Sequence, residues 1–341
     1  MKTTGYVLTR NGAADHAFQL KDIELKSIAQ NEVLIECESF GLNYADVMAR
    51  IGLYREAPPL PCVIGYEVVG IVKEVGSFVS EDFIGKRVVG FTRFGGYAKH
   101  AVTSQDAIVE IGDLDANTAL SLATQGVTAY YMSNVATTIQ PNDRVLIHAA
   151  AGGVGTLLIQ IAKSKGAVVF AKVGNASKIE QCKALGADEV IDYSKEDYAI
   201  QLKAILGKHR LDLSFNPVAG STYKKDLSLL GSTSKIVLFG GSELSNGKWG
   251  IFSKLNFVRK MGFVMPIVMM MRSKSIIGVN MLKVADFRPD VLKSCLTEVY
   301  KLYQSGKLST VRGGEFHVYE LAEAHKLLES GKSTGKISVK W

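Results

Sequence analysis

Cysteine is scarce and scattered: four in 341 residues, at 37, 62, 182 and 295, with no C-x-x-C pair. That excludes a disulfide-stapled scaffold and points to reduced, buried thiols in a cytoplasmic protein. Proline is also thin, seven against 33 glycines, which fits an α/β chain with many tight turns. No apolar run reaches the ~20 residues that a membrane-spanning helix needs. The opening "MKTTGYVLTRNG" has no apolar signal-peptide core. No internal repeat and no low-complexity linker breaks the chain. Acidic residues are missing from one window, Glu243 to Asp286, which holds Lys248, Lys254, Arg259, Lys260, Arg272, Lys274 and Lys283. Those seven equal the whole net charge of +7, so the remainder is balanced. A diffuse nucleic-acid-binding surface is thereby excluded, and a local basic patch is left.

What is present begins with "NDRVLIHAAAGGVGTLLIQIAK". Val145, Leu146 and Ile147 form a short apolar run after the turn signal Pro141-Asn142-Asp143. Leu157, Leu158, Ile161 and Ala162 follow at helical spacing. Between them lie Ala149, Ala151, Gly152, Gly153, Val154 and Gly155, in an A-x-x-G-x-x-G pattern. A strand, a bare turn and a helix make an anion site, because the helix N-terminus offers unpaired N–H groups that glycines leave accessible. The ligand expected there is a dinucleotide pyrophosphate; close helix–strand packing without a ligand is the plainer alternative.

Hydrophobic residues at 47% and charged residues at 21% suit a packed globule, and 341 residues predict two domains. Residues 1–110 alternate apolar and polar over short, glycine-broken runs, an antiparallel β pattern. From about Ser121 strands alternate with helices, which implies a parallel, doubly wound sheet. The tail from Glu315 returns to β–helix–β and is expected to rejoin the first domain.

The second strand of the α/β part, "VVFAKV", ends in Gly174-Asn175-Ala176-Ser177-Lys178. An NAD site usually carries a carboxylate there. Here none is present, and Ser177 and Lys178 suit a 2′-phosphate, so NADPH is expected. The alternative has Ser177 capping the next helix and Lys178 in solvent.

Together "GLNYADVMARIGLYREAPPLP", "GYEVVGIVKEVG", "HAAAGGVG" and "GKISV" make this chain resemble the medium-chain dehydrogenase/reductases. It is most similar to their zinc-free quinone oxidoreductase branch and the vesicle amine transport protein subgroup. The resemblance implies a GroES-like antiparallel β domain, residues 1–122 with 287–341. It implies a Rossmann domain over 123–286, carrying an apolar insertion at about 244–274. It implies that Lys178 and Tyr193, beside Asn175 and Ser177, hold the 2′-phosphate. Thr128, Asn216, Phe239, Gly240, Gly241 and Asn280 would line the cofactor. The family often carries an acid where this chain has Asn216.

Zinc alcohol dehydrogenases draw their ligands from G-x-C-H, G-H-E and a later cysteine. The matching positions here are Asn43-Tyr44, Gly65-Tyr66-Glu67 and Gln125, so no metal is expected. Without a Lewis acid, hydride transfer suits a quinone or an α,β-unsaturated carbonyl, whose developing charge spreads to a distant oxygen. Hydrogen bonds to that oxygen are expected from Asn43, Tyr44, Tyr54 and Tyr66, with Asn43 and Tyr54 the pair the resemblance points to. Core packing is the alternative for each tyrosine. The rival functions are an alcohol or ketone reductase using NADPH, and an NADPH-binding membrane-associated or regulatory protein with little turnover.

The stretch Lys248–Lys274 contains eleven uncharged residues, Met261–Met271, with Pro266 among them. It reads as a substrate-pocket lid or a dimer-interface element, or as a basic, apolar segment docking on an anionic membrane. The expected assembly is a homodimer.

Overall fold

The computed structural model describes residues 1–246 and 251–341, in two compact units: Met1–Thr128 with Met281–Trp341, and Ala129–Asn280. The sequence reading places the joins at 122/123 and 286/287. The first join falls at Ala123, where the helical stretch from Ala116 to Ala136 kinks (ψ −105°), a break that no glycine or proline at that position announces. The second falls within the helix Met281–Phe287, which packs on the helix Pro289–Gln304 and goes with it, so the observed join comes before Met281.

The first unit is built on a seven-stranded sheet. Its order is Arg312–His317, Lys336–Lys340, Glu32–Leu42, Glu67–Val75, Arg87–Phe91 and Ile108–Glu110, with His100–Ser104 also pairing onto Glu32–Leu42. All pairs are antiparallel except Arg312–His317 with Lys336–Lys340. The C-terminal strand does rejoin this sheet, Ile337 opposite Leu42 and Val339 opposite Phe40. Val33, Ile35, Phe40, Val68, Val72 and Val339 fill the core from the sheet's inner face. That return is what carries Lys336 to the side of Glu67.

The second unit is a six-stranded sheet, parallel throughout. Across it lie Glu189–Asp192, Val168–Val173, Arg144–Ile147, Leu211–Asn216, Leu230–Leu238 and Ser275–Gly278. Numbered in chain order that is 3-2-1-4-5-6, the doubly wound order whose ligands gather at the carboxyl ends of the strands. Val145, Leu146 and Ile147 are all fully buried, as the central strand of a sheet covered on both faces must be. The expected insertion forms two helices, Ile251–Met261 and Pro266–Arg272. Lys248, where that segment was expected to begin, lies outside the described residues. No helix among the described residues is long and apolar enough to cross a membrane.

Candidate functional site

The candidate residues divide between the two units. In the α/β unit the helix Gly153–Ser164 starts directly behind the Arg144–Ile147 strand, with Gly152 as its N-cap. Gly153, Val154 and Gly155 supply its first turn, whose N–H groups have no intrahelical acceptor. Gly155 has to be glycine: a Cβ there would lie 2.5 Å from the Ala149 oxygen and 2.6 Å from the Ala150 Cα. The turn is strained as well, Ala149 sitting at φ +49°. Ala150 N–H donates to the carbonyl of Lys172 on the next strand (3.1 Å), which ties the turn to the sheet.

Near the end of Val168–Val173 lie Asn175, Ser177, Lys178 and Tyr193, the four residues expected at a 2′-phosphate. Tyr193 N–H donates to the Val173 carbonyl at 3.1 Å, which brings that phenol beside the strand end. The Ser177 hydroxyl donates to Asn175 Oδ1 at 2.5 Å, so Ser177 caps no helix. Lys178 is buried rather than solvated, and burial lowers the pKa of its ammonium. A phosphate would restore the charge balance that burial disturbs. The donor set is an ammonium, an amide, a hydroxyl and a phenol, with no carboxylate, and it fits the 2′-phosphate of NADPH.

Asn216 is where sequence reading falls short. Its amide donates to Thr222 Oγ1 (2.8 Å) and Asp226 Oδ2 (2.7 Å), and its Oδ1 accepts from the N–H groups of Val218 and Ala219, both at 2.9 Å. Both donors and both lone pairs are occupied, so a cofactor contact at this position falls to the backbone. The acid that the family often carries here arrives instead from the helix Ser221–Leu229, as Asp226. Asp226 gathers Tyr198 Oη (2.7 Å), Ser214 Oγ (2.8 Å) and His148 Nε2 (2.9 Å). Burial works to raise its pKa, but these partners hold the carboxyl below the ordinary range. Lys172 completes the cluster, its Nζ 3.3 Å from His148 Nδ1. The one legible hint was a lysine inside an otherwise apolar strand. Phe239 and Gly241 are half-buried, Gly240 and Asn280 exposed.

In the β unit Asn43 precedes the helix Tyr44–Arg50, and its N–H donates to Asp46 Oδ2 at 2.8 Å. Its side-chain amide donates to Glu67 Oε1 (2.9 Å) while Oδ1 accepts from Lys336 Nζ (3.2 Å). Lys336 and Glu67 form an ion pair with both side chains fully buried, and Thr124 N–H donates to the second Glu67 oxygen at 2.7 Å. Asn43 is therefore held rigidly, with one amide N–H left to offer. Burial pushes the Asp46 carboxyl up to about 8. Tyr54 and Tyr66 meet edge to face, ring centroids 6.2 Å apart. Burial raises both phenols, Tyr54 to about 12 and Tyr66 far above its usual value, with the contact between their hydroxyls lowering the first and raising the second, so both stay protonated. The Tyr66 hydroxyl is buried with only the Tyr54 hydroxyl near it and no hydrogen bond of ordinary length among the described residues, and Gln125 Oε1 is buried with no hydrogen-bond partner among them. Tyr44 is half-buried at the first turn of its helix. Thr128 has its hydroxyl committed to the Thr124 carbonyl at 2.6 Å. Among the described residues no group of three or more His, Cys, Asp or Glu side chains is placed to hold a metal ion.

A GroES-type β unit and a doubly wound unit with a glycine turn at a helix N-terminus define a two-domain, dinucleotide-dependent class of protein. Comparison bears this out: the model of the zinc-binding dehydrogenase family matches residues 153–296, and that of the alcohol dehydrogenase GroES-like domain matches 29–113. The synaptic vesicle membrane protein VAT-1 homolog of Danio rerio is 28% identical over 313 residues, 91% of this chain and 64% of that protein. Quinone oxidoreductase 1 of Escherichia coli is 35% identical over 216 residues, 63% of this chain and 66% of that one. The chain thus spans just under two thirds of both relatives. The crystal structure of Escherichia coli quinone oxidoreductase complexed with NADPH superposes with a TM-score of 0.86 at 27% identity, covering 99% of this chain and 100% of that one. The chain belongs to the medium-chain dehydrogenase/reductase superfamily, in its quinone oxidoreductase/VAT-1 branch.

Proposed function

We propose that this chain is an NADPH-dependent oxidoreductase that reduces quinones or α,β-unsaturated carbonyls without zinc. The observation that carries the reading is the buried hydroxyl of Tyr66, which has only the Tyr54 hydroxyl near it and no hydrogen bond of ordinary length, standing where the zinc enzymes place a ligand. A buried donor without an acceptor is costly, and a substrate oxygen that accepts from it relieves the cost as negative charge grows there. Bound NADPH supplies the hydride. Tyr66 and Tyr54 stay protonated and offer O–H groups to the substrate oxygen. Asn43, fixed by Glu67 and Lys336, presents its remaining N–H. A phenol with so high a pKa gives up its proton only to a strong base, such as an enolate, so water shares that role. Gly152–Gly155 receive the pyrophosphate, and Asn175, Ser177, Lys178 and Tyr193 receive the 2′-phosphate.

The test is NADPH oxidation against a panel of small quinones, enones and simple ketones, before and after exhaustive chelation. Turnover of quinones or enones that survives chelation supports the reading. Turnover of ketones alone, lost with chelator and restored by zinc, replaces it with an alcohol or ketone reductase. NADPH binding without turnover leaves the regulatory alternative. Four unpaired cysteines support a cytoplasmic site of action. A homodimer is the assembly we infer, the exposed apolar residues between 255 and 271 forming part of its contact.

A further inference from the structure

Among the described residues the buried Lys172 has no carboxylate within ion-pair distance. Its ammonium lies 4.3 Å from the ring centroid of Tyr193 and 4.4 Å from that of Tyr198, with His148 Nδ1 at 3.3 Å. An ammonium has three donors, and here two face aromatic rings and one a ring nitrogen. For Nδ1 to accept, the imidazole proton must sit on Nε2, where Asp226 receives it. Burial keeps His148 below its usual pKa, which agrees with a neutral ring. Tyr198 is locked in turn by its hydrogen bond to Asp226. Tyr193 differs. The residue is 49% exposed, and its hydroxyl makes no side-chain hydrogen bond among the described residues. Its hydroxyl stands beside Gly174, 2.9 Å from where a Cβ would be. What fixes the inner face of that ring is the Lys172 ammonium.

We propose that Lys172 is a positioning residue for Tyr193, and through it a determinant of the preference for the 2′-phosphorylated cofactor. This rests on the reading that Lys178 and Tyr193 hold the 2′-phosphate. The cation does two things. It clamps the ring so that the phenol enters the phosphate site preorganised, and it polarises the ring from behind, making the O–H a better donor to a dianion. NADH, lacking the phosphate, gains from neither.

The experiment titrates NADPH and NADH separately by fluorescence into wild type, Lys172→Met, Tyr193→Leu and the double variant, with Lys178→Ala as the control for the site. Methionine keeps the apolar stem and removes the charge. Lys172→Met is expected to weaken NADPH ~3- to 30-fold and leave NADH unchanged. In the Tyr193→Leu background the same change should no longer alter the NADPH/NADH ratio. A merely structural role would weaken both cofactors alike, and that result overturns the proposal. So does an equal effect of Lys172→Met in both backgrounds, which would make it a bare charge acting past the ring. If Lys178→Ala lowers the ratio and Lys172→Met does not, the inference fails and the site stands. If Lys178→Ala leaves the ratio unchanged, the site reading fails and the inference with it.

A pH profile supplies a second readout. Burial brings the Lys172 ammonium down to about 8, with Asp226 opposing that fall. The charged and titratable groups facing it are His148 from the glycine turn, Asp226 and Lys225 from the helix Ser221–Leu229, Asp197 and Tyr198 from the start of the helix Tyr198–Leu206, and Tyr193. The wild-type NADPH/NADH ratio should fall as pH rises through 8, and Lys172→Met should flatten that part of the curve. Parallel curves for the two proteins would overturn the proposal.

Discussion

Lys336 and Glu67 pair with both side chains buried, and a buried pair is held by its partners more than it holds the fold. Removing one member strands the other. Lys336→Met leaves Glu67 with the donors of Asn43 and Thr124 but no countercharge, and should cost ~3–5 kcal/mol in urea unfolding followed by circular dichroism. Adding Glu67→Gln to Lys336→Met should recover part of that loss; a further additive loss would mean that the charge is not the issue. His325 gives a pH dependence of definite sign. Burial, with Arg50 nearby, holds its imidazole down to about 3, and Tyr97 Oη lies 3.2 Å from its Nε2. The unfolded chain takes up a proton near pH 6.5, which the folded chain refuses. The stability His325 contributes is therefore intact above pH 6.5 and drains as pH falls toward 3, by about 2 kcal/mol at pH 5. His325→Phe should flatten the slope of stability between pH 6.5 and 4.5. An unchanged slope would show that acid sensitivity lies in other groups.

At the scale of an element, the strand–turn–helix at Arg144–Ser164 is the part most dependent on a single atom count. Gly155→Ala would drive a methyl into Ala149 and Ala150, whose atoms are backbone and cannot rotate away. The helix must then back off from the turn and take its free N–H groups with it. NADPH affinity should fall ~10-fold or more, for a stability loss of ~1–3 kcal/mol, measured by fluorescence titration and thermal melting. Unchanged affinity would place the pyrophosphate elsewhere. This element was legible in advance because its signal is local: three β-formers, a run of small residues, then apolar spacing of 3.6. That the sheet is parallel and doubly wound followed from repeating that unit. Asp226 was not legible, since an acid inside a helix says nothing of reaching Asn216, ten positions earlier, across a strand end. Nor was the tie of Asn43 to Lys336, which needs the last strand to return beside Glu32–Leu42. Residues meeting through long-range register carry no periodic mark.

For the whole molecule, the sequence's basic, apolar window becomes a surface whose charge is engaged in part. Lys260 pairs with Glu243 at 2.6 Å, Lys283 with Glu56 at 3.1 Å, and Lys274 donates to the carbonyls of Leu227 and Leu230. Three of the seven cations are thus drawn away from any lipid headgroup, and the apolar part dominates what is left. Met261 anchors the first helix, its sulfur accepting from Gly220 N–H, whereas Phe263 is 98% exposed and Met271 77%. Within the same unit the outer strand Ser275–Gly278 pairs only with Leu230–Leu238 among the described residues, leaving a strand edge to cover. A second copy related by a two-fold axis answers both needs, edge against edge and apolar helix against its equivalent. Light scattering at micromolar concentration should return the mass of two chains. Phe263→Ser with Met270→Ser and Met271→Ser should return the mass of one, with an unchanged circular dichroism spectrum and unchanged NADPH affinity, because none of the three is core. A one-chain mass for the wild type would remove the dimer. If that monomer also sediments with anionic liposomes and the triple variant does not, the surface belongs to a membrane, with Lys254, Arg259 and Arg272 as its remaining cationic contacts among the described residues.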